Sequence, residues 1–180
     1  YRIRRCGNIC YVSYKNIPFG KPEEFNVVIE ISKGSEHKYE YDEELDAIKL
    51  DWVFTGGFCF PFNYGYIPGT RGGDGDHLDT FVIGPLPLEM GTIVTCRPVG
   101  MIELLDRGEE DNKILAVPAV NAKYKNCNGL EDLDFDYKEL FEQFFKELGV
   151  QKNKAVEIKG FRDRTTTIRE IEKAHAAEQS

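Results

Sequence analysis

The sequence lacks the features of a secreted or membrane-embedded protein. No apolar run is long enough to span a bilayer, and the basic segment 1–5 is not followed by the apolar stretch of a signal peptide. No Asn-x-Ser/Thr glycosylation acceptor occurs, and the cysteines are odd in number and form no C-x-x-C pair. They are Cys6, Cys10, Cys59, Cys96 and Cys127. We therefore expect reduced thiols in an intracellular protein that does not enter membranes.

An excess of positive charge is also missing. The 23 Lys and Arg residues are outnumbered by 31 Asp and Glu residues, which gives a formal net charge of -8. This charge repels nucleic acids and anionic lipid surfaces, so we expect neither as a partner, and an anionic substrate would need cations beside it. The 180 residues fit one domain, 1–180. The absence of an initiator Met is consistent with a processed chain or with a domain excised from a longer one.

The hydrophobic pattern predicts strands accompanied by two helices. Strands are expected over 8–14, 25–31, 38–41, 48–53, 80–83, 92–104, 114–117 and 155–161. One helix is expected over 131–148, where phenylalanines repeat on one face, and a second over 166–177. Pro98 and Gly100 predict a bend or bulge in their strand, and the aromatic, turn-rich segment 58–68 predicts irregular structure. Without a βαβ rhythm, this favours the α+β class: a mostly antiparallel sheet or small closed barrel with helices packed outside.

Three acidic residues in segment 72–79 stand out, because no basic residue accompanies them. Asp74 and Asp76 alternate, so an extended backbone would place them on one face, and Asp79 opens the following strand. One interpretation is a solvated acidic turn. The other is a site for a hard divalent cation such as Mg2+. The spacing excludes an EF-hand, since Asp79 falls where that loop needs glycine.

Other polar residues fall at strand ends or in the adjoining loops. They are Glu30, Lys38, Glu40, Tyr64, Asp106, Asp111 and Lys113. Lys38 and Glu40 alternate on one strand, and the Tyr64 hydroxyl could donate a hydrogen bond to an oxyanion. The alternative for each is an ordinary solvated strand face or hairpin tip.

Together these segments resemble a known family. Asp74-Gly75-Asp76-His77-Leu78-Asp79 is similar to the D-G-D-P-x-D signature of the soluble family I inorganic pyrophosphatases, with His77 in place of proline. Segments 28–31, 38–40, 61–67, 96–100 and 106–117 resemble family segments in the same order. The resemblance covers the chain from about Phe25 onward and leaves 1–24 as an N-terminal extension. It implies a mainly β, OB-like closed barrel of five strands, with additional strands and two packed helices.

The resemblance also implies Mg2+-dependent hydrolysis of inorganic pyrophosphate to two phosphates by a metal-activated water. It assigns metal binding to Asp74, Asp79, Asp106, Asp111 and Glu30. Asp76 would be the general base, while Lys38, Tyr64 and Lys113 would bind and neutralise phosphate. Glu40 would not contact the substrate itself but would orient Lys38 or bound water. Mn2+ or Zn2+ are possible substitutes for Mg2+, and Ca2+ is expected to inhibit.

The departures from the family pattern fall at positions where the family has phosphate-binding residues, which we call the phosphate side of the site. Trp52 stands where the family usually has a phosphate-binding arginine, and Leu148-Gly149 stands where it has a Tyr-Lys pair. Neighbouring basic residues, among them Arg71, Lys146, Lys152 and Lys154, could compensate and leave the substrate unchanged. Alternatively, a wider pocket would admit tripolyphosphate or another short polyphosphate.

Two further interpretations stay open. One is a non-catalytic module that binds metal and phosphate; the acidic charge argues against a nucleic-acid binder. The other concerns location and assembly. Trp52 and the segment 69–73 resemble the protist branch of the family, which is found in acidocalcisomes. An acidocalcisome is therefore the alternative to a cytoplasmic location. The family resemblance also implies a homo-oligomer, either a dimer or a hexamer.

Overall fold

The computed structural model describes residues 3–6 and 9–179. Its strands are β1 Ile3–Cys6, β2 Ile9–Val12, β3 Gly20–Lys21, β4 Glu24–Ile31, β5 His37–Asp42, β6 Ala47–Val53, β7 Asn63–Tyr66, β8 Asp79–Val82, β9 Ile93–Asp106, β10 Glu109–Glu110, β11 Lys113–Pro118 and β12 Val156–Asp163. The α-helices are α1 Tyr137–Lys152 and α2 Arg164–Glu178, and short 3-10 helices cover Ala122–Tyr124 and Leu130–Asp132. Within the described residues, no helix is both long and apolar enough to cross a bilayer.

Five strands close into a ring. β4 pairs with β7, β7 with β8, β8 with β11 and β11 with β9, and β9 returns to pair with β4. Only the β8–β11 pairing in this ring is parallel. Each strand of the ring is paired on both sides, and the two helices pack outside the ring. This confirms the expected mainly β fold of the α+β class.

The buried apolar residues form two clusters. One joins the barrel to α1, whose Phe141, Phe144 and Phe145 are buried as the helical spacing predicted. The other joins the barrel to α2 through Ile171 and Ala174. The helices thereby hold the strands, and the loops at their ends, in fixed positions.

The first helix begins later than its sequence pattern predicted. α1 starts at Tyr137, not at Glu131, because the Asp136 side chain accepts a hydrogen bond from the Glu139 amide and caps the helix. It continues beyond Leu148 to Lys152 and ends at Asn153, whose φ of 47° is left-handed. This longer C-terminal end brings the last turn of α1 to the site described below.

The prediction of irregular structure over 58–68 is wrong for its centre, since residues 63–66 form the buried strand β7. Gly65 explains how so aromatic a segment joins the barrel. A Cβ atom at Gly65 would lie 1.9 Å from the carbonyl oxygen of Val28, so only glycine permits β4 and β7 to approach this closely. The bulge expected near Pro98 and Gly100 is confirmed by a shift in register against β11.

β5 and β6 form a separate two-stranded sheet beside the barrel. Their connecting turn ends at Asp46, which has a φ of 51°. The Asp46 carboxylate accepts hydrogen bonds from the Ser13 hydroxyl and the Tyr14 amide, and these tie the turn to the N-terminal segment. The predicted start of that segment's strand, Asn8, lies outside the described residues. Cys59, Cys96 and Cys127 are free thiols.

The close approach at Gly65 predicts a large loss of stability on Gly65→Ala. The added methyl group would force β4 and β7 apart, at a cost of about 3 kcal/mol in the free energy of unfolding. Urea unfolding followed by circular dichroism measures it. Gly84→Ala is the matched control, because a Cβ atom there meets nothing within 4 Å. Equal unfolding midpoints for the two variants would contradict the packing argument.

Candidate active site

All the polar residues singled out at strand ends line one depression at the mouth of the barrel, which we call the mouth depression. It has two adjoining parts, with volumes of 380 and 290 Å³. Both parts are lined by Lys38, Glu40, Tyr64, Asp74, Asp76 and Asp79. Glu30 lines the first part, and Asp106, Asp111 and Lys113 line the second. Strand ends that are far apart in sequence therefore deliver these side chains to one volume.

Lys113, the first residue of β11, is a buried cation between two carboxylates. Its ammonium group lies 2.5 Å from Asp79 Oδ2 and also contacts Asp111. Burial alone would lower the pKa of Lys113, but the charges of Asp79 and Asp111 raise it above its usual range. Burial and the charge of Asp79 raise the pKa of Asp111, while Lys113 opposes them. The lysine thus holds the two acids together at the rim.

Asp106, the last residue of β9, combines one satisfied and one unsatisfied oxygen. Its Oδ2 contacts the ammonium group of Lys154, which follows α1. Its Oδ1 is buried and has no hydrogen-bond partner within the described structure. A buried oxygen without a donor is costly, and a cation would satisfy it.

Glu30 and Tyr64 form the buried floor of the depression. Glu30 is 5% exposed and accepts a hydrogen bond of 2.6 Å from the Tyr41 amide. Burial, together with the charge of Asp79, raises its pKa to about 8. Burial likewise raises the pKa of Tyr64, and the hydrogen bond between its hydroxyl and Asp79 adds to that effect. Burial thus favours the neutral form of both groups, and added positive charge would favour an ionised Glu30.

The β5–β6 sheet supplies the opposite wall. Lys38 contacts the Glu40 carboxylate, as their alternation predicted, and its ammonium group lies 3.3 Å from Asp51 Oδ2. Burial, followed by the positive charge of Lys152, lowers the pKa of Lys38. Asp51 was not among the predicted site residues, because its contacts depend on strand register and on the position of α1.

The acidic turn that contains Asp74 and Asp76 lies at the edge of the depression. The Asp76 amide donates to Asp74 Oδ1 over 3.1 Å, and Gly75, with a φ of 88°, permits the tight turn. Both carboxylates are exposed. His77, which replaces the proline of the motif, stacks against Tyr66 at 5.0 Å between ring centroids, and its Nδ1 lies 2.7 Å from the Thr70 carbonyl oxygen. His77 therefore anchors the turn through its ring.

The predicted cation site has suitable donors but is not arranged around an ion. Within residues 3–6 and 9–179, no group of three or more His, Cys, Asp or Glu side chains has a geometry that could hold a metal. The ammonium group of Lys113 contacts Asp79 and Asp111, and that of Lys154 contacts Asp106. The donor chemistry still fits Mg2+, because these carboxylate oxygens include the unpartnered Asp106 Oδ1.

The basic residues considered as replacements for the missing arginine divide into two groups. Arg71 lines the depression but is paired with Glu43 at 2.6 Å and with Glu178 at 2.5 Å. Lys146 is exposed on α1 and is absent from the lining. Lys152 and Lys154 do line the second part of the depression. Of the four residues considered, Lys152 and Lys154 are therefore the ones that lie beside Lys38 and Lys113 in the second part of the depression.

A barrel mouth lined by carboxylates and lysines, with a buried acid of raised pKa, defines a class of protein. It is suited to bind a multiply charged anion together with cations, as in metal-assisted phosphoryl transfer. The comparisons with known proteins give this class a family. The family model described as inorganic pyrophosphatase matches residues 27–179, and the chain belongs to the inorganic pyrophosphatase family.

Individual relatives agree in sequence and in fold. The inorganic pyrophosphatase of Saccharolobus solfataricus is 43% identical over 158 residues, covering 85% of this chain and 91% of its own length. The crystal structure of inorganic pyrophosphatase from Thermus thermophilus is similar with a TM-score of 0.87 and 36% identity, covering 94% of this chain and 100% of that one. A soluble inorganic pyrophosphatase of Zea mays is 35% identical over 151 residues, covering 84% of this chain and 71% of its own length.

The similarity to protist structures is confined to the fold. The type I inorganic pyrophosphatase from P falciparum has a TM-score of 0.83 at 24% identity, and the enzyme from T brucei brucei has 0.83 at 20%. The sequence relatives described above come instead from an archaeon and a plant. The protist branch, which Trp52 and segment 69–73 resemble, is therefore not shown by these similarities.

The raised pKa of Glu30 predicts that Glu30→Gln increases the free energy of unfolding in a pH-dependent way, in protein freed of metal with EDTA. Below about pH 4.5 the carboxyl is protonated whether the chain is folded or unfolded. Between about 4.5 and 8 the unfolded chain releases this proton while the folded protein retains it, so the wild type loses stability that the glutamine variant keeps.

The free energy of unfolding is measured in urea at pH 5, 7 and 9. The glutamine variant should be more stable than the wild type, by an amount that grows as pH rises. Glu24→Gln, at an exposed residue of the same strand, is the control and should follow the wild type. A difference that does not change with pH would contradict the assignment.

Proposed function

We propose that this chain hydrolyses inorganic pyrophosphate to two phosphates with Mg2+. The observation that carries the proposal is the convergence of every predicted site residue on the mouth depression of a family member. Carboxylates alone would repel pyrophosphate, and lysines alone would not activate water. Carboxylates and lysines together could both bind the anion and activate water once cations are bound.

Five carboxyl groups would hold the cations: Asp74, Asp79, Asp106, Asp111 and Glu30. When bound, Mg2+ would supply positive charge beside the phosphates and lower the pKa of a water molecule. Mn2+ and Zn2+ are the substitutes that we propose. Ca2+ would compete and inhibit, because it accepts more ligands in looser geometry.

The remaining residues provide the acid–base and binding chemistry. Asp76, exposed at the edge of the depression, would accept the proton of the attacking water. Lys38, Tyr64 and Lys113 would contact the phosphate oxygens and stabilise the leaving phosphate. Glu40 would position Lys38, which it already contacts.

Asp76→Asn tests the assignment of the base. It should lower kcat for pyrophosphate by about 100-fold or more, since a positioned base contributes that much. Mg2+ binding, measured by calorimetry, should change little. The control is Asp134→Asn, which removes an exposed carboxylate whose ion pair with Lys123 lies outside the depression. A kcat near that of the wild type would refute the role of Asp76.

A second candidate substrate is tripolyphosphate or another short polyphosphate. It is supported by two departures from the family pattern: Trp52, which is 41% exposed, and Leu148-Gly149, of which Leu148 lines the second part of the depression. Comparing kcat/KM for the two substrates decides between them. Equal or better turnover of tripolyphosphate favours the longer substrate, whereas turnover of pyrophosphate alone refutes it.

Assembly and location complete the proposal. A homo-oligomer, either a dimer or a hexamer, is proposed from the family resemblance, and sedimentation velocity measures it. A cytoplasmic location is proposed because the cysteines are expected to be reduced thiols inside a cell. The acidocalcisome is the alternative, proposed from the resemblance of Trp52 and segment 69–73 to the protist branch. Imaging of a tagged chain in its native cell distinguishes the two compartments.

A further inference from the structure

The end of α1 carries a lysine that is held in an unusual way. The Lys152 ammonium group lies 2.9 Å from Asp51 Oδ2 on β6, and it also lies over the indole ring of Trp52, 5.4 Å from the ring centroid. An indole attracts a cation placed over its face. Two neighbours on one strand therefore fix a side chain that belongs to a different element.

A second set of contacts joins the same end of α1 to the segment that follows β6. The Thr55 amide and hydroxyl both point to Gln151 Oε1, at 3.4 and 3.3 Å, and the Gln151 amide group donates to the Thr55 carbonyl oxygen at 3.1 Å. The backbone before Lys152 is thereby tied to the β5–β6 sheet. Because both ends of the side chain are constrained, little conformational freedom would be lost when Lys152 binds a ligand.

Lys152 faces the same volume as the other cations of the site. It lines the second part of the mouth depression with Lys38, Lys113 and Lys154. Lys152 and Lys38 share a single carboxylate, Asp51. An ammonium group has three donors, so each lysine keeps donors for an incoming anion after its contact with Asp51. Two cations around one carboxylate also repel each other, and an anion between them relieves that repulsion.

We propose that Lys152, seated on Trp52 and held by Asp51, is a further substrate-binding residue that contacts a phosphate group of the substrate. The inference rests on the proposed function and deepens it. Trp52 is then a positioning residue: its indole binds no phosphate and instead supports the lysine that does. The positive charge of this subsite is provided by the helix end, while β6 provides its support.

The sole tryptophan of the chain provides a readout that does not depend on turnover. Titration of the wild type with inorganic phosphate in the presence of Mg2+ should change the emission of Trp52 and saturate. In Lys152→Met the apparent Kd for phosphate should rise about 10- to 100-fold, as expected for a lost charge-assisted contact. Lys146→Met, on the exposed face of the same helix, is the matched control and should keep the wild-type Kd.

Steady-state kinetics separate binding from catalysis. Lys152→Met should raise KM for pyrophosphate about tenfold or more with little change in kcat, and Lys152→Arg should restore most of the affinity. Trp52→Leu should raise KM in the same direction, while Trp52→Phe, which retains an aromatic face, should have a smaller effect. Urea unfolding of each variant checks that the fold is retained.

Failure of this inference is distinguishable from failure of the proposed function. An active Lys152→Met variant with unchanged Kd and KM would overturn the role of Lys152 and leave the hydrolase proposal standing. A lower kcat with unchanged KM would also overturn it. If the wild type hydrolyses no pyrophosphate, the proposed function fails, and the phosphate titration still decides whether Lys152 binds an anion.

Discussion

The contact of a buried ammonium group with two carboxylates holds the rim of the barrel together. Lys113 lies between Asp79 and Asp111, which come from β8 and from the loop before β11. Removing one member of such a group would leave uncompensated charge in a partly buried place. The same contacts explain the electrostatics of the site, since it concentrates acids that tolerate one another only because positive charge lies among them.

That constraint links the fold to the proposed chemistry. The closed ring of five strands brings the ends of β4, β7, β8, β9 and β11 to one mouth, while the β5–β6 sheet and α1 supply the walls. A buried acid of raised pKa and an unpartnered carboxylate oxygen are both features that bound cations would relieve. On the side where the family pattern has phosphate-binding residues, Lys152 at the end of α1 lies over the uncharged Trp52 ring and pairs with Asp51.

Much of this arrangement could be predicted from the sequence, and the exceptions have physical reasons. Alternation and β-branched residues predicted most strands, and the family motif led to the site residues. The strand β7 was missed because its place in the barrel depends on the close approach of Gly65 to Val28, which lies on a strand distant in sequence. The helix start was misplaced because the acids before Tyr137 resemble a first turn, whereas Asp136 caps the helix. The pairing of Lys152 with Asp51 depends on tertiary docking, which no local pattern encodes.

The central claim is that the crowded acids and lysines of the mouth depression form a metal-assisted site for pyrophosphate. Release of inorganic phosphate from pyrophosphate by the purified protein tests it most directly, with Mg2+ in one sample and excess EDTA in the other. We expect rapid release of two phosphates per pyrophosphate with Mg2+ and none with EDTA. Absence of release at every Mg2+ concentration would contradict it and leave a non-catalytic member of the family.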